Sequence, residues 1–170
     1  MKQLIVIFII ATLSCCHSGE ARSFEKVLDS ADKKSFRILV SDDLEEKRLQ
    51  ALVDMKPDVA TSIAKKQIKE LTALIDDIAK KDVRGLEGGV VLQQKALNYY
   101  RGYLQLKKVD LNEVELMSIS IGEDTTMVTT AVSNMSHLPF NRMKIYRIIT
   151  ENDQAMHTER QKFKETYNIP

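Results

Sequence analysis

AKKQIKELTALIDDI, residues 64–78, places apolar side chains at Ala64, Ile68, Leu71, Ile75 and Ile78. The spacing is 4-3-4-3, which returns each of these positions to one side of a helix. Val59, Ile63 and Leu74 widen the stripe beyond a two-helix seam, so the pattern predicts a helix that packs against several neighbours. Pro57 suits the first turn of such a helix, because its missing N–H falls where no intrahelical partner exists.

Downstream, Gly85-Leu86-Glu87-Gly88-Gly89 reads as a helix stop and reversal, since glycine enters the left-handed region at little cost. A second seam runs through Val90, Leu97 and Leu104, with Gln93 and Tyr100 interleaved, toward Lys107-Lys108. Asp110 with Glu113 has the form of a capping box, and Val109 with Val114 that of a hydrophobic staple, so a new helix is expected from residue 111. Val114, Met117, Ile121, Val128, Val132 and Met135 can share one face of it. The same stretch admits another reading. Met117, Ile119 and Ile121 alternate before Gly122-Glu123-Asp124, which would give an α+β fold with a hairpin at about 115–132. Asn134 to Leu138 reads as a break, Pro139 as a first turn, and Ile145, Ile149, Met156 and Phe163 as one face of a last helix.

Upstream, Phe24, Val27, Leu28 and Ala31 form a short stripe. Ser41 or Asp42 can cap a second short helix with Leu44, Leu49, Leu52 and Val53. The expectation is an all-α, up-and-down bundle. Its four longer helices would lie at about 57–82, 86–107, 111–135 and 138–167, with two short N-terminal helices packed across them. Phe24 and Phe36, early in the chain, would meet Phe140 and Phe163, late in it.

A chain of 170 residues, 44% hydrophobic and 29% charged, is sized for one ordinary folded domain. Its 25 basic and 24 acidic residues nearly cancel. A neutral body offers no long-range field, so neither nucleic acid nor an anionic lipid surface is an expected partner.

The N-terminus carries an address. Lys2 precedes an apolar run from Leu4 to Leu13. Ten residues make about 15 Å of helix, half a bilayer core, which fits a secretory signal more than a spanning anchor. Leu13-Ser14-Cys15-Cys16 resembles the lipobox of bacterial lipoproteins, with Leu13 three residues before Cys16. The resemblance implies a signal peptide at 1–15, and a lipid with palmitate-type acyl chains on Cys16 or, in the other register, Cys15. It further implies a tether at 16–22 and anchorage at a cell-envelope membrane, ahead of the helical domain that the periodicity places at 23–170. An ordinary secretory cleavage near Ser18 or Ala21, giving a soluble periplasmic or secreted protein, is the competing reading. No cysteine follows Cys16, so the body holds no disulfide.

Motifs that would bring chemistry are missing. A di-iron bundle needs glutamate three residues before histidine, but Asn134 and Gln154 precede His137 and His157 at that offset. Asp153 and His157 share a helix face as a lone pair. Cys15-Cys16-His17 lacks the spacer of a haem-attachment motif. Gly85, Gly88 and Gly89 lack the lysine of a phosphate loop, and a hydrolase would have to use His137 or His157 without a nucleophile elbow. Asp76 and Asp77, being adjacent, point about 100° apart and cannot address one site. Tyr99 and Tyr103, beside the seam residue Tyr100, are the candidate contact surface. No cofactor or metal is expected. The reading is a non-enzymatic envelope protein acting through contact with another envelope protein. The alternative is a small-ligand bundle, with Gln93, Tyr100 and Asp124 as its polar groups.

Overall fold

A computed structural model describes the backbone of residues 2–170 and the side chains of residues 18–170. Cys15 and Cys16, the candidate lipid-attachment residues, lie outside the described side chains. The chain is all-α: α1 (Lys2–Phe36), a π-turn (Arg37–Ser41), α2 (Leu44–Val53), α3 (Pro57–Ala79), α4 (Gly89–Ser120) and α5 (Thr125–Thr166). The described residues contain no strand, so the hairpin alternative does not occur.

Four long helices alternate in direction. Ser23 lies beside Lys81 and Ile38 beside Gln67, so α3 runs back along α1. Gln93, in the second turn of α4, donates to the carbonyls of Ile78 and Lys81 at 2.8 and 2.7 Å. That side chain adds a donor to the carbonyls at the end of α3, of which Ile78 also accepts from the Lys81 N–H, and it ties the start of α4 to the end of α3. Between them the residue-80–88 connection reverses with Gly88 at φ 72°, as the glycine cluster requires. On α5, Arg142 faces Asp110 and Arg160 faces Glu25, which brings the last helix back along α4 to the second half of α1. With 42 residues α5 is about 63 Å long.

The main core lies where all four meet, around Phe24, Leu28, Leu74, Ile78, Leu92, Tyr100, Met156 and Phe163. Phe24 and Phe163 pack edge to face with ring centres 5.8 Å apart. The predicted meeting of early and late aromatics therefore holds for this pair, while Phe36 and Phe140 are exposed. A smaller cluster joins α2 to α3 and α4 through Ala51, Leu52, Ala60 and Val114. Beyond it α4 and α5 continue together, held by Leu116, Ala131 and Leu138.

The seam of α3 is buried at Ala64, Leu71, Ile75 and Ile78 and half-buried at Ile68. Val59, expected to widen it, is exposed. On α4 the buried stripe is Leu92, Ala96, Leu97 and Tyr100, whereas Val90 faces solvent. On α2, Leu49 and Val53 point outward, while Arg48 and Leu52 point in.

The helix boundaries correct the sequence reading in three places. No break occurs at 108–110. Asp110 is 4% exposed in the middle of α4, where its carboxylate is engaged by Lys107 and Arg142 instead of by a helix start. The break comes at 121–124, where the Asp124 side chain accepts from the N–H groups of Thr126 and Met127 at 2.9 and 3.1 Å. The threonine-rich stretch after it stays helical, with Thr129 and Thr130 hydroxyls bonding back to the carbonyls four residues earlier. Nor does the chain break at 134–138, since α5 continues through Pro139 with Leu138 buried against α4. The four long helices are accordingly α1, α3, α4 and α5. The expected 111–135 helix is divided between α4 and α5, and only α2 is short.

Gly102 lets α4 and α5 approach closely: a Cβ there would stand 2.6 Å from Cγ1 of Ile149. Replacing Gly102 by Leu is therefore expected to cost about 1–3 kcal/mol through overpacking. Replacing Leu71, which is fully buried, by Ala is expected to cost about 2–5 kcal/mol. Urea unfolding of both variants checks the packing; losses under about 0.5 kcal/mol would contradict it.

Candidate contact site

A cleft of about 380 Å³ opens between the π-turn and α2 on one side and α5 on the other, with α4 as its floor. Leu39, Leu49, Tyr103, Leu106 and Tyr146 form its apolar walls. The polar groups come from the same elements. Arg48, only 2% exposed, donates to Glu45 at 2.6 Å and to Glu113 at 3.2 Å. Lys107 bridges Glu45 and Asp110 at 2.6 and 2.8 Å. Arg142 reaches across from α5 to Asp110 at 2.9 Å and to both oxygens of Glu113 at 3.0 and 2.7 Å.

Three cations and three carboxylates thus neutralise one another, which is what lets Arg48, Lys107 and Asp110 be buried at all. Burial alone would raise the Glu45 carboxyl, but hydrogen bonds from Arg48 and Lys107 outweigh it and hold the group down to about 2. Glu113 is likewise lowered, its burial outweighed by the Arg142 guanidinium and then by Arg48. Sequence reading missed this network. Its six members lie in three helices, and only the Lys107–Asp110 and Glu45–Arg48 spacings of i, i+3 are local enough to be visible.

A second ionic clamp closes the other end of the bundle. Arg160 donates to Glu25, Asp29 and Asp32 on α1 at 2.7, 2.6 and 2.6 Å, while the Tyr100 hydroxyl donates to Asp32 at 2.6 Å. Burial first, and then the nearby Asp32 carboxylate, push the Tyr100 phenol well above its ordinary range.

The candidate contact residues Tyr99 and Tyr103 are both half-buried and pack edge to face at 5.2 Å. Tyr103 stands in the wall of the cleft, whereas Tyr99 packs against the main core. Gln93, Tyr100 and Asp124 are not brought together: each is spent inside the fold, on the end of α3, on Asp32 and on the start of α5. His137 is exposed, and His157, also exposed, lies 3.4 Å from Asp153. Asp76 and Asp77 are exposed, with Asp77 paired to Lys34 at 2.9 Å. Among the described residues no group of histidine, cysteine and carboxylate side chains is placed to hold a metal ion, and no helix is long and apolar enough to cross a membrane.

The outer side of α5 carries an apolar row. Val132, Phe140, Met143 and Tyr146 fall within about 120° of one another on the helix wheel, and each is more than half exposed. Tyr146 joins this row to the cleft. Lys144 lies over the Phe140 ring at 4.4 Å.

The chain matches no protein-family model, and no curated protein or solved structure is detectably similar to it.

Because Glu45 and Glu113 are lowered in the folded chain, their contribution is complete above the ordinary glutamate value of 4.5. It is lost as pH falls through the folded values, about 2 for Glu45. Stability should therefore fall as pH drops from 4.5 toward 2, and less steeply in Glu45→Gln. Asp110→Ala, which leaves three cations facing two carboxylates in the buried network, is expected to cost about 3–5 kcal/mol near neutral pH. Thermal unfolding across pH and urea titration at pH 7 check the two statements; an unchanged acid slope in Glu45→Gln would contradict the first.

Proposed function

We propose that this protein is a non-enzymatic bundle of the cell envelope, held to a membrane by a lipid on Cys16, that works by binding another envelope protein. The observation that carries the contact reading is the apolar row Val132, Phe140, Met143 and Tyr146 on the outer side of α5. A helix packed on one side only places polar residues on the other, and a cluster of large apolar side chains there marks a surface that is covered in use. The adjoining cleft, with Tyr103 and Tyr146 in its walls, extends that surface, and tyrosine is a residue type that contact surfaces favour. The non-enzymatic reading is supported by the way polar groups are used: the buried ones hold helix to helix, and His137 and His157 stand exposed.

The tether reading is supported by the apolar run Leu4–Leu13 and the lipobox-like Leu13-Ser14-Cys15-Cys16. Ala21 and Phe24 are fully buried in the bundle. The spacer between a lipid on Cys16 and the packed body is thus about five residues, and the body stays close to its membrane.

Two measurements test this. A photo-crosslinking residue at Met143 or Tyr146 in intact cells should give a discrete adduct, and one at Arg101, exposed on α4, should give none. Absence of adducts at both α5 positions, with the protein folded and abundant, removes the contact reading. Intact-mass measurement should find an acylated chain beginning at Cys16, and Cys16→Ser should leave the membrane fraction; an unmodified N-terminus at Gly19 or Arg22 removes the tether.

A further inference from the structure

The near-equal totals of basic and acidic residues hide a segregation. Along α1 the outward ridge is Lys26, Ser30, Lys33 and Arg37, spaced 4-3-4, with no carboxylate in it. Along the neighbouring α3 the outward ridge is Asp58, Ser62, Lys66, Lys69, Ala73, Asp76 and Lys80. Between the ridges lies a groove of about 460 Å³, whose lining includes Val27, Leu74 and Ile78 with the Ser23 and Ser30 hydroxyls. Across it Lys34 pairs with Asp77 at 2.9 Å, Arg37 with Glu70 at 3.7 Å, and Lys81 bonds Ser23 at 2.9 Å, while Arg37 also pairs with Asp42 at 3.6 Å. Counted together, this face has eight cations (Lys26, Lys33, Lys34, Arg37, Lys66, Lys69, Lys80, Lys81) and five carboxylates (Asp42, Asp58, Glu70, Asp76, Asp77), a net +3. The rest of the chain is left with 17 cations and 19 carboxylates, a net −2.

We infer that the α1–α3 face lies against an anionic lipid surface and fixes how the bundle sits on its membrane. Seven of the eight cations are lysines, compact charges on long stems that reach a diffuse layer of headgroups without needing the paired geometry that arginine supplies. The face carries no aromatic side chain on which a nucleic-acid base could stack. The choice of lipid as the anion rests on the tether reading of Cys16, which would hold α1 within reach of headgroups. Proximity then turns a weak, salt-sensitive attraction into a preferred orientation, because each lysine near an anionic leaflet raises partitioning on the order of fivefold.

The test uses the full chain and two vesicle types, phosphatidylcholine alone and phosphatidylcholine with about one third phosphatidylglycerol. The readout is the ratio of partitioning into the two. An N-terminal apolar segment or acyl chain raises binding to both types alike, so failure of the tether does not move this ratio. The wild type should prefer anionic vesicles by more than about tenfold at low salt, and the preference should collapse in 0.5 M NaCl. Lys26→Gln, Lys33→Gln, Lys66→Gln and Lys69→Gln combined should lower it by at least about tenfold. An equal charge change elsewhere, Lys47→Gln, Arg101→Gln, Lys108→Gln and Lys144→Gln, should keep the preference within about twofold. All eight substituted side chains are exposed, and far-UV circular dichroism checks that both variants remain folded. No wild-type preference for anionic vesicles overturns the inference, as does an equal loss in the second variant. Tighter binding of duplex DNA through the same four lysines would overturn the lipid assignment.

Discussion

The mutual neutralisation of Arg48, Lys107, Arg142, Glu45, Asp110 and Glu113 is the constraint on which the arrangement of α2, α4 and α5 depends. Each ion alone would cost several kcal/mol to bury, and any slip of one helix by a turn would leave at least one of them without a partner. An apolar cluster of similar volume would tolerate such a slip far better, because dispersion contacts are not directional. The network therefore acts less as a source of stability than as a selector of register. It fixes α5 against α4 at Arg142, in the middle of the longest helix pair, and from there the close approach at Gly102 and Ile149 follows. The Arg160 clamp performs the same selection for α1, so that two ionic sites and one apolar core determine how all four long helices are staggered.

Much of the fold was legible because helical periodicity survives in any sequence that must bury one stripe per helix. The seam at Ala64–Ile78 and the glycine turn before α4 required only local rules. What misled was punctuation. Asp110-Leu111-Asn112-Glu113 satisfies the spacing of a capping box, yet the same i, i+3 carboxylates sit on one face in mid-helix, where cations from α2 and α5 claim them. Local rules cannot see those cations. Pro139 misled for the opposite reason: a proline disrupts a helix on its own, but packing of Leu138 and Ile149 on either side holds α5 continuous.

The candidate contact site was legible only in part. Tyr103 was found because tyrosines close together in sequence stand out, and it does line the cleft. Tyr146 and its apolar row were not found, since Val132, Phe140, Met143 and Tyr146 look like core positions until the buried side of α5 is known. The buried side proved to be Ala131, Leu138, Ile149, Met156 and Phe163, set by α4 and α1. Amphipathic analysis assigns one apolar face to each helix; α5 carries two, and only tertiary structure says which one is left over.

The turn at Ile121–Asp124 lies at the end of a two-helix arm that reaches past the shelter of α1. The side chains holding α4 to α5 near that end are few, Leu116, Ala131 and Leu138 with Val109 and Met135 beside them, and on the other side Met117 and Ile121 lie against the α2–α3 connection. Cooperative units in a protein open in order of the surface they protect, so this arm is the first part of the body to exchange its amide hydrogens, while the Phe24–Phe163 end exchanges only on global unfolding. The chain thus has a stiffness gradient along its long axis, rigid at the Phe24–Phe163 end and compliant at the tip.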